Sequence, residues 1–386
     1  MEGTLKMQEQ FFSVRQKNFS LYCCSFISLN VHITFRYNYC LTMQVTQQTL
    51  YLSHDKPVLM NSSLIATNQH RFSVAPMMNW SDRHCRYLWR LISQHSRLYT
   101  EMVTTGALLH REPSRFLDFN PEEHPLALQL GGSNADELAQ CALLAEQWGY
   151  NEVNLNCGCP SDRVQDGMIG ACLMAYPEKV AEAYQAMQDE VSIEVTIKHR
   201  IGIDDMNDYQ GMVNFIRPIA AKGCKTFIVH ARKAWLKGLS PKENREVPPL
   251  EYPFVYRLKQ EFPELTIVLN GGVKTLADTL THLSKVDGVM VGREAYSNPY
   301  LLAQIDQQLF DDEHPIPSRL TIAEQYIAYC MIEIKKGTRL NHLSRHVLGL
   351  FQGESGARAF RRHISENAHK DGANADVLVD ALRYIA

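Results

Sequence analysis

Several things are missing from this chain, and each absence closes off a class of protein. No apolar run approaches the roughly 18 residues of a membrane span. No short apolar segment with a small-residue cleavage site marks a secretory signal. No G-x-G-x-x-G follows a strand-like stretch, so a dinucleotide held in a Rossmann unit is not expected. No C-x-x-C redox pair occurs. The ten cysteines are scattered, several within apolar runs such as "AQCALLAEQWG", and do not form a disulfide framework. A reducing, cytoplasmic compartment follows. Excess charge is missing too: the formal net charge of −3 points to no polyanionic partner for the chain as a whole. Apolar content of 45% and charged content of 21% are ordinary for a globular enzyme.

What is present begins at Arg71. Eight short apolar, β-rich runs occur: "RFSVAPM" (71–77), "RLYTEMV" (97–103), "PLALQLGG" (125–132), "EVNLNCGCP" (152–160), "EVTIKHR" (194–200), "TFIVHAR" (226–232), "LTIVLNGG" (265–272) and "GVMVGRE" (288–294). Continuous apolar strands of this length suit a parallel sheet covered on both faces. Helical patterns fall between most of them. In 134–148, Leu138, Cys141, Ala142, Ala145 and Trp148 recur at helical spacing, with Asn134 placed to cap the start and Gly149 the end. Eight strand–helix repeats in about 240 residues match a (β/α)8 TIM barrel, an α/β fold. A doubly wound sheet is the alternative, usually with fewer strands.

The chain divides into three. Residues 1–67 lack sustained alternation, caps and turn signals and read as a leader, either poorly ordered or upstream of a true start at Met43 or Met60. An extra packed layer is the competing reading. Residues 68–311 form the barrel. Residues 312–386 contain helical patterns and no strands, which predicts a small all-α domain. Between Lys335 and Lys370, eight Lys/Arg stand against two Glu, a local +6 on an acidic chain. Arg358, Arg361 and Arg362 fall on one helical face, a pattern suited to phosphate contacts.

Barrel enzymes carry their chemistry at the C-terminal ends of the strands. Those ends here hold Met77 and Met78, Glu101, Gln129, Asn154 and Asn156 followed by Cys159, Lys198, His230, Asn270-Gly271-Gly272, and Gly292-Arg293. A purely structural barrel has no reason to gather these groups on one rim. Glycine-rich ends on strands 7 and 8, with Arg293 beside them, suit a phosphate-bearing cofactor. Lys198 would neutralise negative charge developing on a flavin ring. Cys157 and Cys159 form a C-x-C with Cys172 nearby, which fits no zinc pattern, and no metal is expected. Strand side chains alternate between faces. Asn154 and Asn156 therefore share one face and Cys157 takes the other, as a packing residue. Cys159 lies past the strand end, placed to meet a substrate as proton donor or nucleophile.

The blocks "APM…W", "TEMV", "LQLGG", "NLNxGCPS", "KxRIGID", "IVHARKAWLKGLSPKENRE", "NGGV" and "DGVMVGREAY" together resemble the tRNA-dihydrouridine synthases. "RKAWLKGLSPKENRE" and "HVLGLFQGxxGAR" resemble the A subfamily, which acts at positions 20 and 20a. The resemblance covers residues 70–386 and implies a flavin barrel with a helical tRNA-binding domain. It assigns FMN binding to Pro76, Met77, Met78, Gln129, Lys198, His230, Asn270, Gly271, Gly272, Gly292 and Arg293. It makes Cys159 the proton donor, sets Asn156 against the target uracil, and gives tRNA contacts to Lys242, Arg245, Arg358 and Arg361. Cys157 and His199 depart from the family pattern away from the proposed chemistry. NADPH is the implied hydride donor, and a D-loop uridine, flipped into the barrel mouth, the implied substrate. No membrane and no obligate protein partner are expected. A flavin barrel for small molecules and a tRNA-binding protein without redox activity are the alternatives. The basic helical segment argues against the first, and the intact rim against the second.

Overall fold

The computed structural model describes residues 69–161, 167–206 and 208–385. The leader expected over 1–67 lies outside the described residues. Eight parallel strands close into a barrel in sequence order: β1 (Phe72–Val74), β2 (Arg97–Thr104), β3 (Leu126–Gly131), β4 (Glu152–Cys157), β5 (Glu194–Arg200), β6 (Thr226–His230), β7 (Thr266–Asn270) and β8 (Gly288–Val291). All eight expected strands are present. β1 is the most shortened, because Ala75 makes its last ladder bond, to the Val291 carbonyl at 2.8 Å, and Pro76 has no N–H to continue it.

Helices cover the outside. α1 (Arg83–Ile92) follows β1, α2 (Ala135–Trp148) follows β3, α3 (Pro177–Glu190) follows β4, and α4 (Tyr209–Ala221) follows β5. α5 (Tyr252–Glu261) and α6 (Leu276–Leu283) follow β6 and β7. α2 begins and ends as its sequence predicts. The Asn134 side chain accepts the Glu137 N–H, and Gly149 closes the helix at φ 94°.

Two different cores result from the strand period of two. Outward residues such as Leu128, Val153, Leu155, Cys157 and Ile197 pack against the helices. The inward set includes a small apolar cluster of Ala75, Tyr99, Ala127, Ile228, Val268 and Met290. The rest of the interior is a polar column. Buried Glu152 takes Arg97 Nη1 at 2.9 Å, the Tyr99 hydroxyl at 2.7 Å and the Thr196 hydroxyl at 2.5 Å. Thr196 Oγ1 accepts from Asn154 Nδ2 at 2.8 Å, Asn154 Oδ1 from Gln129 Nε2 at 2.7 Å, and Gln129 Oε1 from Asn156 Nδ2 at 2.8 Å. Each member is satisfied, which is the condition under which a buried polar network holds. His70, Glu152 and Glu194 converge at the lower end of the column. Their carboxylates already bind Arg97, Tyr99, Thr196 and Thr226, so they plug the barrel floor.

The C-terminal segment is helical as expected: α7 (Arg319–Lys335), α8 (Ala357–Asn367) and α9 (Asp376–Leu382). It docks on α1. Asp82 caps α1 by accepting the His84 and Cys85 N–H groups at 3.1 and 3.0 Å. The same carboxylate receives Arg345 at 2.5 Å and His346 at 3.1 Å. Arg83 pairs with buried Glu333, His84 bonds the Tyr329 hydroxyl at 2.7 Å, and the rings of Tyr87 and Tyr329 stack at 3.9 Å.

His199 faces outward beside Cys157 and is fully buried between Phe215 and Phe227. Its Nδ1 lies 2.6 Å from the Arg200 carbonyl, which only accepts, so Nδ1 carries the proton. Nε2 is buried without a partner. Burial pushes the imidazole down to about 4. A histidine with a depressed folded value contributes stability above its ordinary value of about 6.5 and loses it as pH falls toward 4. The loss for one such group is about 1.4 kcal/mol per pH unit across that window. His199→Leu is therefore expected to stay within about 1 kcal/mol of the parent at pH 7, because it removes an orphan acceptor along with one hydrogen bond. It should unfold less readily than the parent at pH 5. Urea melts at the two pH values measure both.

Candidate active site

The C-terminal ends of the strands open into a cavity of about 1420 Å³. Register levels the polar residues around it. Asn156 is opposite Lys198, Arg200 opposite His230, and His230 opposite Asn270. Pro76, Met77, Met78, Gln129, Asn156, Cys159, Lys198, His230, Arg245, Asn270, Gly271, Gly272, Gly292 and Arg293 all line it. Lys242 lies on the loop rim outside the cavity, at the cap of a short turn over Glu243–Arg245. Arg358 and Arg361 lie on α8, Arg358 exposed and Arg361 half-buried. Glu101 does not line the cavity. Its carboxylate instead bonds the N–H of Asn79, which sits at φ 64°, and so fixes the loop after β1.

The cysteine pair separates across the barrel wall. Cys157 ends β4 on the outer face, fully buried, with its thiol pushed well up by burial. Cys159 lies in the turn beyond, half-buried at the cavity. With one thiol packed outside the barrel wall and the other at the cavity, the pair does not face one site. Asn156 holds the turn: its Oδ1 accepts the N–H groups of Gly158 at 3.0 Å and Cys159 at 2.9 Å. The Cys159 carbonyl accepts from Ala171 at 2.8 Å. Gly170 is required there. It sits at φ 85°, and a Cβ would come within 2.4 Å of the Cys159 oxygen.

Opposite lies a cationic wall. Lys198 donates to Asn270 Oδ1 at 2.9 Å, and Asn270 is fixed by donating to the Met290 carbonyl at 2.8 Å. Burial, reinforced by Arg200, pushes the Lys198 ammonium down to about 7, with Cys159 acting in the opposite sense. His230 is held neutral by burial and by the cations Arg200, Lys198, Arg232 and Arg245. Lys198, Arg232, Arg245, Lys274 and Arg293 face only Glu246 and Glu294 in the lining, while Arg200, also there, commits its Nε and Nη1 to backbone carbonyls. Arg293 pairs with Glu246 at 2.7 Å and is about half exposed. Such a wall is built for an anion.

Sequence reasoning missed Arg200, Arg232 and Asn244. Lys198 and Arg200 share a face by the same period of two that placed Asn154 and Asn156, so that signal was available for Arg200. Nothing local marked Arg232 or Asn244, whose roles depend on a long loop folding back.

A parallel barrel with a cationic, amide-lined mouth and one thiol held at its edge defines a protein of the TIM-barrel class whose mouth suits an anionic ligand. The dihydrouridine synthase (Dus) family model matches residues 73–386. The chain is 57% identical over 320 residues to a tRNA-dihydrouridine(20/20a) synthase of Vibrio parahaemolyticus serotype O3:K6, covering 83% of this chain and 98% of that protein. It is 59% identical over 307 residues to the protein of that name from Shewanella oneidensis, covering 80% and 91%. It is 56% identical over 317 residues to that from Escherichia coli K12, covering 82% and 92%. The chain belongs to the dihydrouridine synthase family. It is an oxidoreductase that reduces uridine to dihydrouridine in tRNA.

The family is flavin-dependent, and the residues present fit a flavin. Gly271 and Gly272 sit at φ 114° and 75°, and a Cβ on Gly271 would come within 2.6 Å of the His230 ring. Among the described residues, Lys198 has a neutral amide oxygen as its hydrogen-bond partner and no carboxylate paired with it. The phosphate of a flavin nucleotide, and the single negative charge its ring gains on reduction, would supply the missing negative charge.

Two substitutions test the cradle. Gly271→Ala combines a strained backbone with a clash against His230, and should lose flavin on dialysis. If Arg293 meets the cofactor phosphate, Arg293→Ala should weaken flavin retention about 10- to 100-fold, the loss of one charge-assisted contact of roughly 1.5–3 kcal/mol. Flavin absorbance per protein after dialysis measures both, and full occupancy in the arginine variant rules out its phosphate contact.

Proposed function

We propose that this enzyme reduces uridines 20 and 20a in the D-loop of tRNA, with FMN as resident flavin, NADPH as reductant and Cys159 as the proton donor. The observation that carries the reading is the Cys159 turn, pinned at the cavity edge by Asn156 while Cys157 is turned away. The positional assignment rests on the similarity to the relatives of that name. A tRNA substrate places the enzyme in the cytoplasm. No described helix is long and apolar enough to cross a membrane.

When bound and reduced, FMN supplies the hydride that adds to C6 of the uracil. The chain's own residues do the rest. Pro76, Met77, Met78, Gln129, Lys198, His230, Asn270, Gly271, Gly272, Gly292 and Arg293 hold the cofactor. The cavity exceeds the roughly 300–1,000 Å³ typical of a single small-ligand site, leaving room for a flipped base beside the ring. A looped, unpaired base is the cheaper one to extrude. The Cys159 Sγ then delivers its proton to C5, from the side of the base that faces the turn. Asn156 carries two duties in this reading: it positions the turn and lies against the uracil. Lys242 and Arg245 on the rim, with Arg358 and Arg361 on α8, bind phosphates and set the register of the tRNA.

Two experiments test the reading. Cys159→Ala should keep flavin, accept electrons from NADPH and bind tRNA, yet oxidise its reduced flavin with tRNA about 10²–10⁴-fold more slowly, the range typical of general acid catalysis. Cys157→Ala should lose some stability and little rate. Equal single-turnover rates for wild type and Cys159→Ala would sink the donor role, and equal damage from both variants would restore the paired-cysteine reading. For the tRNA face, Arg358→Ala with Arg361→Ala should weaken tRNA binding and flatten its dependence on salt, while NADPH oxidation stays normal. An unchanged affinity would remove α8 from the interface.

A further inference from the structure

Arg200 has no part in the assignments above, yet it joins the two segments on which they depend. It ends β5 two residues after Lys198, so both side chains project into the barrel mouth. It is almost wholly buried. Its Nε donates to the Gly158 carbonyl at 3.2 Å. Its Nη1 donates to the carbonyls of Asn244 at 2.8 Å and Lys233 at 3.3 Å. Gly158 is the residue before Cys159. Asn244 is the staple of the long loop after β6. Its buried side chain accepts the Trp235 N–H at 2.7 Å and donates to the carbonyls of Trp235 and Leu239 at 2.9 and 3.0 Å. That loop carries Lys242 and Arg245. One planar guanidinium thus spans three carbonyls on two segments far apart in sequence.

The energetics argue against a role in stability alone. Among the described residues no carboxylate forms an ion pair with Arg200. Burial pushes its guanidinium down to about 9, with Arg245 and Arg232 adding to the fall and Cys159 opposing it. A buried cation without a counter-ion is costly, and an apolar side chain would fill the same space more cheaply. What the cation provides is geometry. Its rigid fork holds the two carbonyl sets at a fixed separation, which a flexible ammonium cannot do.

We propose that Arg200 is a positioning residue for proton delivery, fixing the Gly158–Cys159 turn against the tRNA-facing loop. Docking of tRNA through Lys242 and Arg245 and placement of the Cys159 thiol then share one frame. The proposal rests on the reading of Cys159 as the acid, and the experiment separates the two.

Arg200→Gln and Arg200→Lys are made in the full chain and loaded with flavin, with Cys159→Ala run beside them. Four quantities are read: flavin content, the rate of flavin reduction by NADPH, tRNA affinity, and single-turnover oxidation of the reduced flavin by tRNA. The first three should stay within about twofold of wild type. The fourth should fall about 10²-fold in Arg200→Gln, the size of effect expected from displacing a reacting group by about an ångström. Arg200→Lys should recover less than about a tenth of the wild-type rate, since one ammonium cannot reach all three carbonyls. Such a split separates positioning from a merely structural contribution, which would lower all four together.

A wild-type tRNA-dependent rate in Arg200→Gln, with Cys159→Ala inactive, overturns this proposal and leaves the donor reading standing. Full rescue by lysine overturns it also, because charge rather than the fork would then suffice. Parallel loss of flavin or of NADPH reactivity, or failure of both variants to fold, assigns Arg200 to the fold and overturns it equally. An active Cys159→Ala removes the donor reading, and this proposal with it.

Discussion

The pleat of β4 is the constraint on which the rest of the site depends. Successive side chains of a strand face opposite sides, so Asn154 and Asn156 must point into the barrel when Val153, Leu155 and Cys157 point to the helices. A slip of one residue would bury two carboxamides against α2 and α3 and put three apolar groups in the cavity. The apolar outer face excludes that slip. Once the register is set, Asn156 projects into the mouth, and its carboxamide reaches the two N–H groups that shape the Cys159 turn. The Cys159 thiol is thus placed by burial of residues that never touch it.

The interior shows how a barrel stays both stable and usable. Its floor is closed by buried Glu152, Arg97 and His70 with half-buried Glu194, joined by ion pairs. Above them the amides of Asn154, Gln129 and Asn156 pass hydrogen bonds upward to the rim. The upper end is left short of negative charge, because among the described residues Lys198 donates to an amide oxygen and Arg232 to a backbone carbonyl. Burial first, and the neighbouring cations second, bring Lys198 down to about 7 and keep His230 neutral. An anion entering the mouth would relieve that tension, because the fold already holds those charges away from water.

The helical segment is tied to the barrel by the same economy. Asp82 starts α1, and its two oxygens also receive Arg345 and His346 from a segment more than two hundred residues away. Glu333 of α7, almost wholly buried, takes Arg83 from the same helix. The first helix of the barrel is therefore the dock for the basic helices, and α8 is carried on a fixed base instead of a loose tether.

Much of this was legible in the sequence because it depends on local rules. Continuous apolar runs marked all eight strands, Asn134 and Gly149 bounded α2, alternation turned Cys157 away from Asn156, and the strand end left Cys159 on the rim. Every residue expected to hold the flavin lines the cavity, since strand ends of a parallel barrel meet on one rim whatever the loops do. What the sequence could not decide is which charges survive as charges and which backbone groups meet. Arg200 reads as an ordinary strand-end cation until the loop after β6 folds back and presents the carbonyls of Lys233 and Asn244 to it. Asn244, Gly170 and Asp82 likewise acquire their roles only from partners brought close by closure of the barrel. Alternation and capping act over a few residues, so the sequence alone determines them. Desolvation and long-range hydrogen bonds depend on what else is near in space, and only the tertiary structure decides that.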